Sequence, residues 1–142
     1  MTIYADSSFL VSKYLQDVHS LEAIRRTVSR PILCLTHFNR VELAHALSRQ
    51  VFRGQINSAE SLRGWNEFEL DCRAGVWIVV DIPDRTWETA IGLARQFGPT
   101  LGIRTLDSLH VASALELRAQ KFWTFDERQG RLAEATGLDT TA

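Results

Sequence analysis

VWIVVDI, residues 76–82, is an unbroken run of β-branched, aromatic and aliphatic side chains relieved only by Asp81 and stopped by Pro83. A strand with one wet face alternates polar and apolar residues, whereas a continuously apolar run reads as a strand covered on both faces of a parallel sheet. Asp84 is placed to cap a following helix that carries Trp87, Ala90, Ile91 and Ala94 and closes at Gly98 and Pro99. Strand followed at once by helix is the unit from which such sheets are built.

The same alternation extends in both directions. Towards the N-terminus, TIYA is a short apolar run that meets Asp6, and SFLVSKYLQD then sets Phe9, Leu10, Lys13 and Tyr14 at helical spacing. SLEAIRRTVS is amphipathic and closed by Pro31, ILCL is a strand candidate, and THFNRVELAHALSRQVFRG is a long helical pattern ended by Gly54. Asn57 and Glu60 form a capping box for a further helix to about Cys72. Downstream, TLDSLHVASALEL is apolar around nearly its whole circumference and reads as a core helix; KFWTF is a strand ending at Asp126, and ERQGRLAEATG is a last helix with Gly137 behind it. With no internal repeat, linker or low-complexity segment, the expectation is one domain over residues 1–142, an α/β sandwich with a short, mostly parallel central sheet.

Composition narrows the function. Lys+Arg 16 against Asp+Glu 17 gives a net charge of -1, so no overall field draws in a polyanion and any such ligand is met locally. The cations are nearly all arginine, clustered at Arg25, Arg26 and Arg30 and at Arg49 and Arg53, with Arg95, Arg104, Arg118 and Arg128 standing singly. Arginine suits bidentate phosphate contact, although most of these positions read as solvated helix faces. No apolar run is long enough to cross a bilayer, and MTIYADSSFL reaches an acid before any signal-like stretch develops; the expectation is a cytoplasmic protein without membrane contact. Cys34 and Cys72 fit neither a disulfide framework nor zinc-ligand spacing.

Most acids have a structural account: Glu22, Glu60, Glu67, Glu88 and Glu116 lie on polar helix faces, and Asp17, Asp71 and Asp84 lie near helix ends. Four do not. Asp6 and Asp126 end apolar strand runs, where ligands bind in open α/β sheets. Glu42 sits between Val41 and Leu43 with Phe38 and Ala46 a turn away on either side, and Asp107 opens the most apolar helix of the chain. Carboxylates gathered at one sheet end repel by about 4 kcal/mol per close pair at an effective dielectric of roughly 20. No lysine or arginine is placed to pair with all four, whereas a hard divalent cation takes oxygen ligands readily; Mg²⁺, or Mn²⁺, is the cofactor inferred.

Other constellations fail on geometry or on missing residues. Asp107, Ser108 and His110 lie too close along one helix to form a serine-hydrolase triad, and there is no GxSxG. His37, His45 and Cys34 lack zinc spacing, and neither GxxxxGK[ST] nor GxGxxG occurs. A phosphoacceptor receiver needs a lysine after its last strand, and the only lysines are Lys13 and Lys121.

YADSSFL, RVELAHAL, RTLDSLHVASALEL and KFWTFDERQGRLAEATGL, in that order, resemble the PIN-domain ribonucleases, in particular the VapC-type toxins of toxin-antitoxin pairs. The resemblance spans essentially the whole chain. It implies a three-layer α/β/α fold, a metal site formed by Asp6, Glu42, Asp107 and Asp126, and endonucleolytic cleavage of RNA. Asp6 and Asp107 match the acids most often given as direct metal ligands, and Thr124 matches a hydroxyl that orders the corner at Asp126. Ser7 and Ser8 stand where many relatives carry Thr and Asn. The toxin reading implies a small VapB-like antitoxin that offers Arg or Lys to the carboxylates. A housekeeping ribonuclease and a catalytically silent protein-binding module are the alternatives. Apolar helix faces around Phe9, Tyr14, Trp65 and Phe68 are the basis for expecting a homodimer.

Overall fold

Side chains alternate across each inner strand, and that alternation divides the core in two. The computed structural model describes residues 1–29 and 31–142; Arg30, of the first arginine cluster, lies outside the described residues. Strands β1 (Thr2–Ala5), β2 (Ile32–Thr36), β3 (Trp77–Val80) and β4 (Lys121–Trp123) form one sheet in the order β3-β2-β1-β4, parallel throughout. Ile3, Ala5, Leu33, Leu35 and Trp123 point to one face, whereas Tyr4, Cys34 and Phe122 point to the other.

Each face is roofed by helices. On the first, α1 (Ser7–Tyr14), α2 (Ser20–Val28), α3 (His37–Phe52) and α4 (Ser58–Arg73) contribute Phe9, Leu10, Ala23, Leu43, Leu47 and Phe68. On the second, α5 (Thr86–Leu101), α6 (Thr105–Glu116) and α7 (Glu127–Ala135) contribute Ala90, Leu93, Val111, Ala112, Ala114, Leu132 and Ala133. The result is the expected three-layer α/β/α arrangement. Asn57 caps its helix as the sequence indicated, and Asp6 and Asp126, read there only as acids at strand ends, are caps as well, each of the three accepting a backbone N–H of the first turn.

Five local expectations are corrected. The run 76–82 supplies only the four-residue β3, which lies at the sheet edge with Ile78 46 % exposed, so it is not covered on both faces. Arg85, not Asp84, occupies the cap position of α5, and the helix passes through Pro99 to end at Gly102, whose φ of 62° and N–H bond to the Gly98 carbonyl (3.1 Å) close it. β4 ends at Trp123, leaving Thr124 and Phe125 as a connector before Asp126. Phe9 and Phe68 are fully buried, and Tyr14 and Trp65 pack against the same cluster, so these faces are consumed within the chain and give no ground for a dimer.

Candidate active site

Parallel strands deliver their C-terminal ends to one edge of the sheet, and the chain puts an acid there directly after β1. Asp6 caps α1: its Oδ1 accepts the Phe9 N–H at 3.0 Å and the Ser8 hydroxyl at 2.6 Å, and its Oδ2 accepts the Thr124 hydroxyl. Burial drives the Asp6 carboxyl above the usual carboxylate range, against the pull of His110 and of these hydrogen bonds. Thr124 also accepts the Asp126 N–H at 2.9 Å, tying the first acid to the last.

Asp126 caps α7, with Oδ1 accepting the Gln129 N–H at 2.9 Å. Asp107, in the first turn of α6 and 4 % exposed, accepts the Arg104 N–H at 2.7 Å through Oδ2. Glu42 projects from α3, and its Oε1 accepts the Ser7 hydroxyl and meets Nε2 of His110, both at 2.5 Å. Burial works against the charge on Glu42, but the His110 bond and charge together with the Ser7 bond outweigh it and hold the carboxyl below its ordinary value. Nδ1 of His110 is 2.8 Å from the Tyr4 hydroxyl, which also reaches Oδ1 of Asn39 (3.3 Å). Asn39 in turn donates to the Ala5 carbonyl at 2.9 Å, so the end of β1 is locked to α3 and α6.

Glu42, Asp107 and Asp126 line one cavity of about 760 Å³, and Asp6 lies behind Ser7 and Ser8, which line it too. Arg49, Arg104 and Arg128 border the cavity, and none makes an ion pair among the described residues. Arg25 and Arg26 are both engaged with Glu22 at 2.7 Å; Arg25 has the solvated-face role expected of most of the arginines, whereas the Arg26 side chain is largely buried. Tyr4 and Asn39 carry no signal in the sequence, and His110 was weighed there only for a serine-hydrolase triad; a ring on the otherwise apolar α6, three residues after Asp107, was the signal available.

The donor chemistry fits a hard divalent cation. The acids offer only oxygens, and Oε2 of Glu42, Oδ1 of Asp107 and Oδ2 of Asp126 have no protein partner among the described residues. The enclosure is looser than the sequence implied: among the described residues no three His, Cys, Asp or Glu side chains are gathered closely enough to hold an ion as they stand. The cause is local, since Asp6 is taken up by Ser8, Thr124 and Phe9, and Glu42 by His110 and Ser7.

With acids, arginines and cavity at the sheet's C-terminal edge, the comparison with known proteins becomes specific. Residues 3–135 match the PIN domain. The chain belongs to the PIN domain family. Its fold is that of VapC20 from Mycobacterium tuberculosis, described as a sarcin-ricin loop cleaving toxin, at 18 % identity, 98 % coverage of both chains and a TM-score of 0.72. VapBC2 from Rickettsia felis, solved on a DNA fragment from its promoter, matches at 13 % identity over 99 % of this chain and 98 % of that one, with a TM-score of 0.68. FitAcB from Neisseria gonorrhoeae matches at 13 % identity over 99 % and 96 %, with a TM-score of 0.66. No curated protein matches the sequence. PIN nucleases generally use divalent metal ions, and no helix among the described residues is long and apolar enough to cross a membrane.

Proposed function

We propose that this PIN domain is a Mg²⁺-dependent endoribonuclease, with Mn²⁺ as an alternative ion, acting in the cytoplasm as the toxin of a VapBC-type pair. The observation that carries the reading is the grouping of Glu42, Asp107 and Asp126 around one cavity bordered by Arg49, Arg104 and Arg128, which make no ion pair among the described residues, with Asp6 buried beside Ser7 and Ser8 of its lining. Asp6, Asp107 and Asp126 are the residues that would hold the cation, with Glu42 as a further ligand or as a base acting through water. A divalent cation supplies Lewis acidity toward the phosphodiester and makes water easier to deprotonate.

The chain's own groups do the rest. Ser8 and Thr124 orient the Asp6 carboxylate, while Ser7 and His110 orient Glu42. The three arginines bind phosphates on either side of the scissile bond, supplying locally the positive charge that the net charge of -1 lacks.

The same acidic cavity fits an Arg or Lys side chain of a small antitoxin. The likeness in fold to the VapBC2 and FitAcB structures supports such a partner. A homodimer is supported by the half-exposed Trp87, Ile91 and Leu106 on the α5–α6 surface, and sedimentation of the purified chain tests it.

The deciding experiment is cleavage of a panel of structured RNAs in EDTA, Mg²⁺ and Mn²⁺ beside the Asp107→Asn variant. Cleavage confined to the unmodified protein with metal supports the enzyme. Equal cleavage by the variant, or none under any condition, refutes it, and the latter leaves a protein-binding module. Suppression by a co-expressed upstream small protein separates a toxin from a housekeeping nuclease.

A further inference from the structure

Beside the acids, aromatic rings run outward from the core in a nearly parallel series. Phe9, fully buried, stacks on Phe125 with centroids 5.2 Å apart and planes at 19°. Phe125 stacks on His19 at 4.4 Å and 5°. His19 is exposed, so the series ends in a ring open to solvent.

The backbone that carries the end ring is fixed. The His19 N–H donates to Oδ1 of Asp17 at 2.8 Å and its carbonyl accepts the Ala23 N–H at 3.0 Å, fixing it at the start of α2. Arg26 covers Trp123 and Phe125 at 5.3 and 5.8 Å while paired to Glu22, which pins the rings behind it.

Position gives the series its meaning. His19, Phe125 and Asp126 line both the acidic cavity and a neighbouring one of about 530 Å³. The His19 ring therefore stands where the acidic cavity and the second space meet. In that second space Arg131 is matched by Glu127 and Glu134, so local charge does not favour a phosphate chain, and attraction has to come from the flat rings.

We propose that His19, backed by Phe125, is a stacking platform for an unpaired base next to the scissile phosphate, so that the enzyme reads its substrate as single-stranded RNA at that position. The ligand class rests on the nuclease reading above. Every base offers a π-face, and in a duplex those faces are covered by neighbours, so a platform of this kind selects unstacked nucleotides without selecting their identity. If His19 served only to shield Phe125, its substitution would change melting and nothing else.

The test uses the Asp107→Asn protein, to prevent turnover, and short single-stranded RNAs carrying one 2-aminopurine scanned through the sequence. Quenching on binding is expected at one position. His19→Ala is expected to abolish it and weaken binding about tenfold, the scale of one base–aromatic stack, while His19→Phe restores both; a full duplex of the same sequence is expected to show neither. Quenching that survives His19→Ala, or that occurs at no position, overturns the platform. Should it be overturned while the unmodified protein still cleaves RNA, the nuclease reading stands; quenching that depends on His19 in a protein that never cleaves would keep the platform and remove the enzyme.

Discussion

Nε2 of His110 lies 2.5 Å from Oε1 of Glu42 while Nδ1 lies 2.8 Å from the Tyr4 hydroxyl, so one buried ring couples the floor of the core to an acid at the cavity rim. Nε2–H donates to the carboxylate; with the ring charged, Nδ1–H donates to the Tyr4 oxygen, whose own O–H donates to Oδ1 of Asn39. Because α6 also carries Asp107 one turn earlier, a single helix positions one acid directly and a second through its histidine.

Tyr4→Phe removes only the hydroxyl and tests that coupling. Nδ1 of His110 is left buried without its partner, which is expected to cost about 1–3 kcal/mol and lower the melting temperature by several degrees. With the ring freer, Glu42 is less well aimed, and cleavage is expected to fall about tenfold at unchanged RNA binding. Wild-type turnover in a destabilised Tyr4→Phe protein would show that the ring does not position Glu42.

Asp6 carries a pH signature when metal is withheld. Its folded-state carboxyl is raised by burial, so the folded chain holds the proton more tightly than the unfolded one. The associated stability is fully present below the unfolded value of 3.8 and is lost as pH rises through the folded value. In EDTA at neutral pH, Asp6→Asn is therefore expected to melt at or above the temperature of the unmodified chain, whereas only the unmodified chain is stabilised by Mg²⁺. Glu42 is shifted the opposite way, so the difference between the two proteins across the acid range, read by thermal melting, isolates Asp6. A metal-free Asp6→Asn protein that is markedly less stable at neutral pH would contradict the sign.

Gly64 marks a close approach that composition does not reveal. A Cβ there would stand 3.2 Å from Leu47 and 3.3 Å from the Tyr14 carbonyl, because α4 presses against α3 and the end of α1. Leu47 has some room to turn, but a backbone carbonyl has little. Gly64→Val, larger and branched at that atom, is expected to cost about 1–3 kcal/mol or more by overpacking. Denaturant unfolding checks it, and a stability equal to that of the unmodified chain would mean the helices separate freely.

Much of this was legible in the residues. Asp6 announces the end of β1, and the Asn57–Glu60 box states where α4 begins. What was lost depends on partners distant in the chain. The run 76–82 reports β propensity, but β3 lies at the edge because pairing places β2 on one side of it alone. Pro99 reads as a stop, yet the turn that ends α5 waits for Gly102. Tyr4 and His110 are 106 positions apart, and no local spacing declares that they touch where α6 packs on the sheet.

Asp71 supplies the contrast that separates structural acids from functional ones. Its Oδ2 accepts from the Lys13 ammonium and, at 2.5 Å, from the Tyr14 hydroxyl, which itself accepts the Trp77 Nε1–H at 2.6 Å. α1, α4 and β3 are thereby joined, and none of these side chains lines the acidic cavity. Asp71→Ala strands the ammonium and the phenol, both largely buried, while partial solvent access at Asp71 moderates the penalty. The expected loss is about 1–3 kcal/mol, with metal-dependent cleavage per folded molecule unchanged. Asp107→Asn should do the reverse, keeping the fold and abolishing turnover. Both are read from melting curves and cleavage rates on the same preparations, and loss of turnover in a folded Asp71→Ala protein would mean that the metal-site acids do not act apart from the rest of the scaffold.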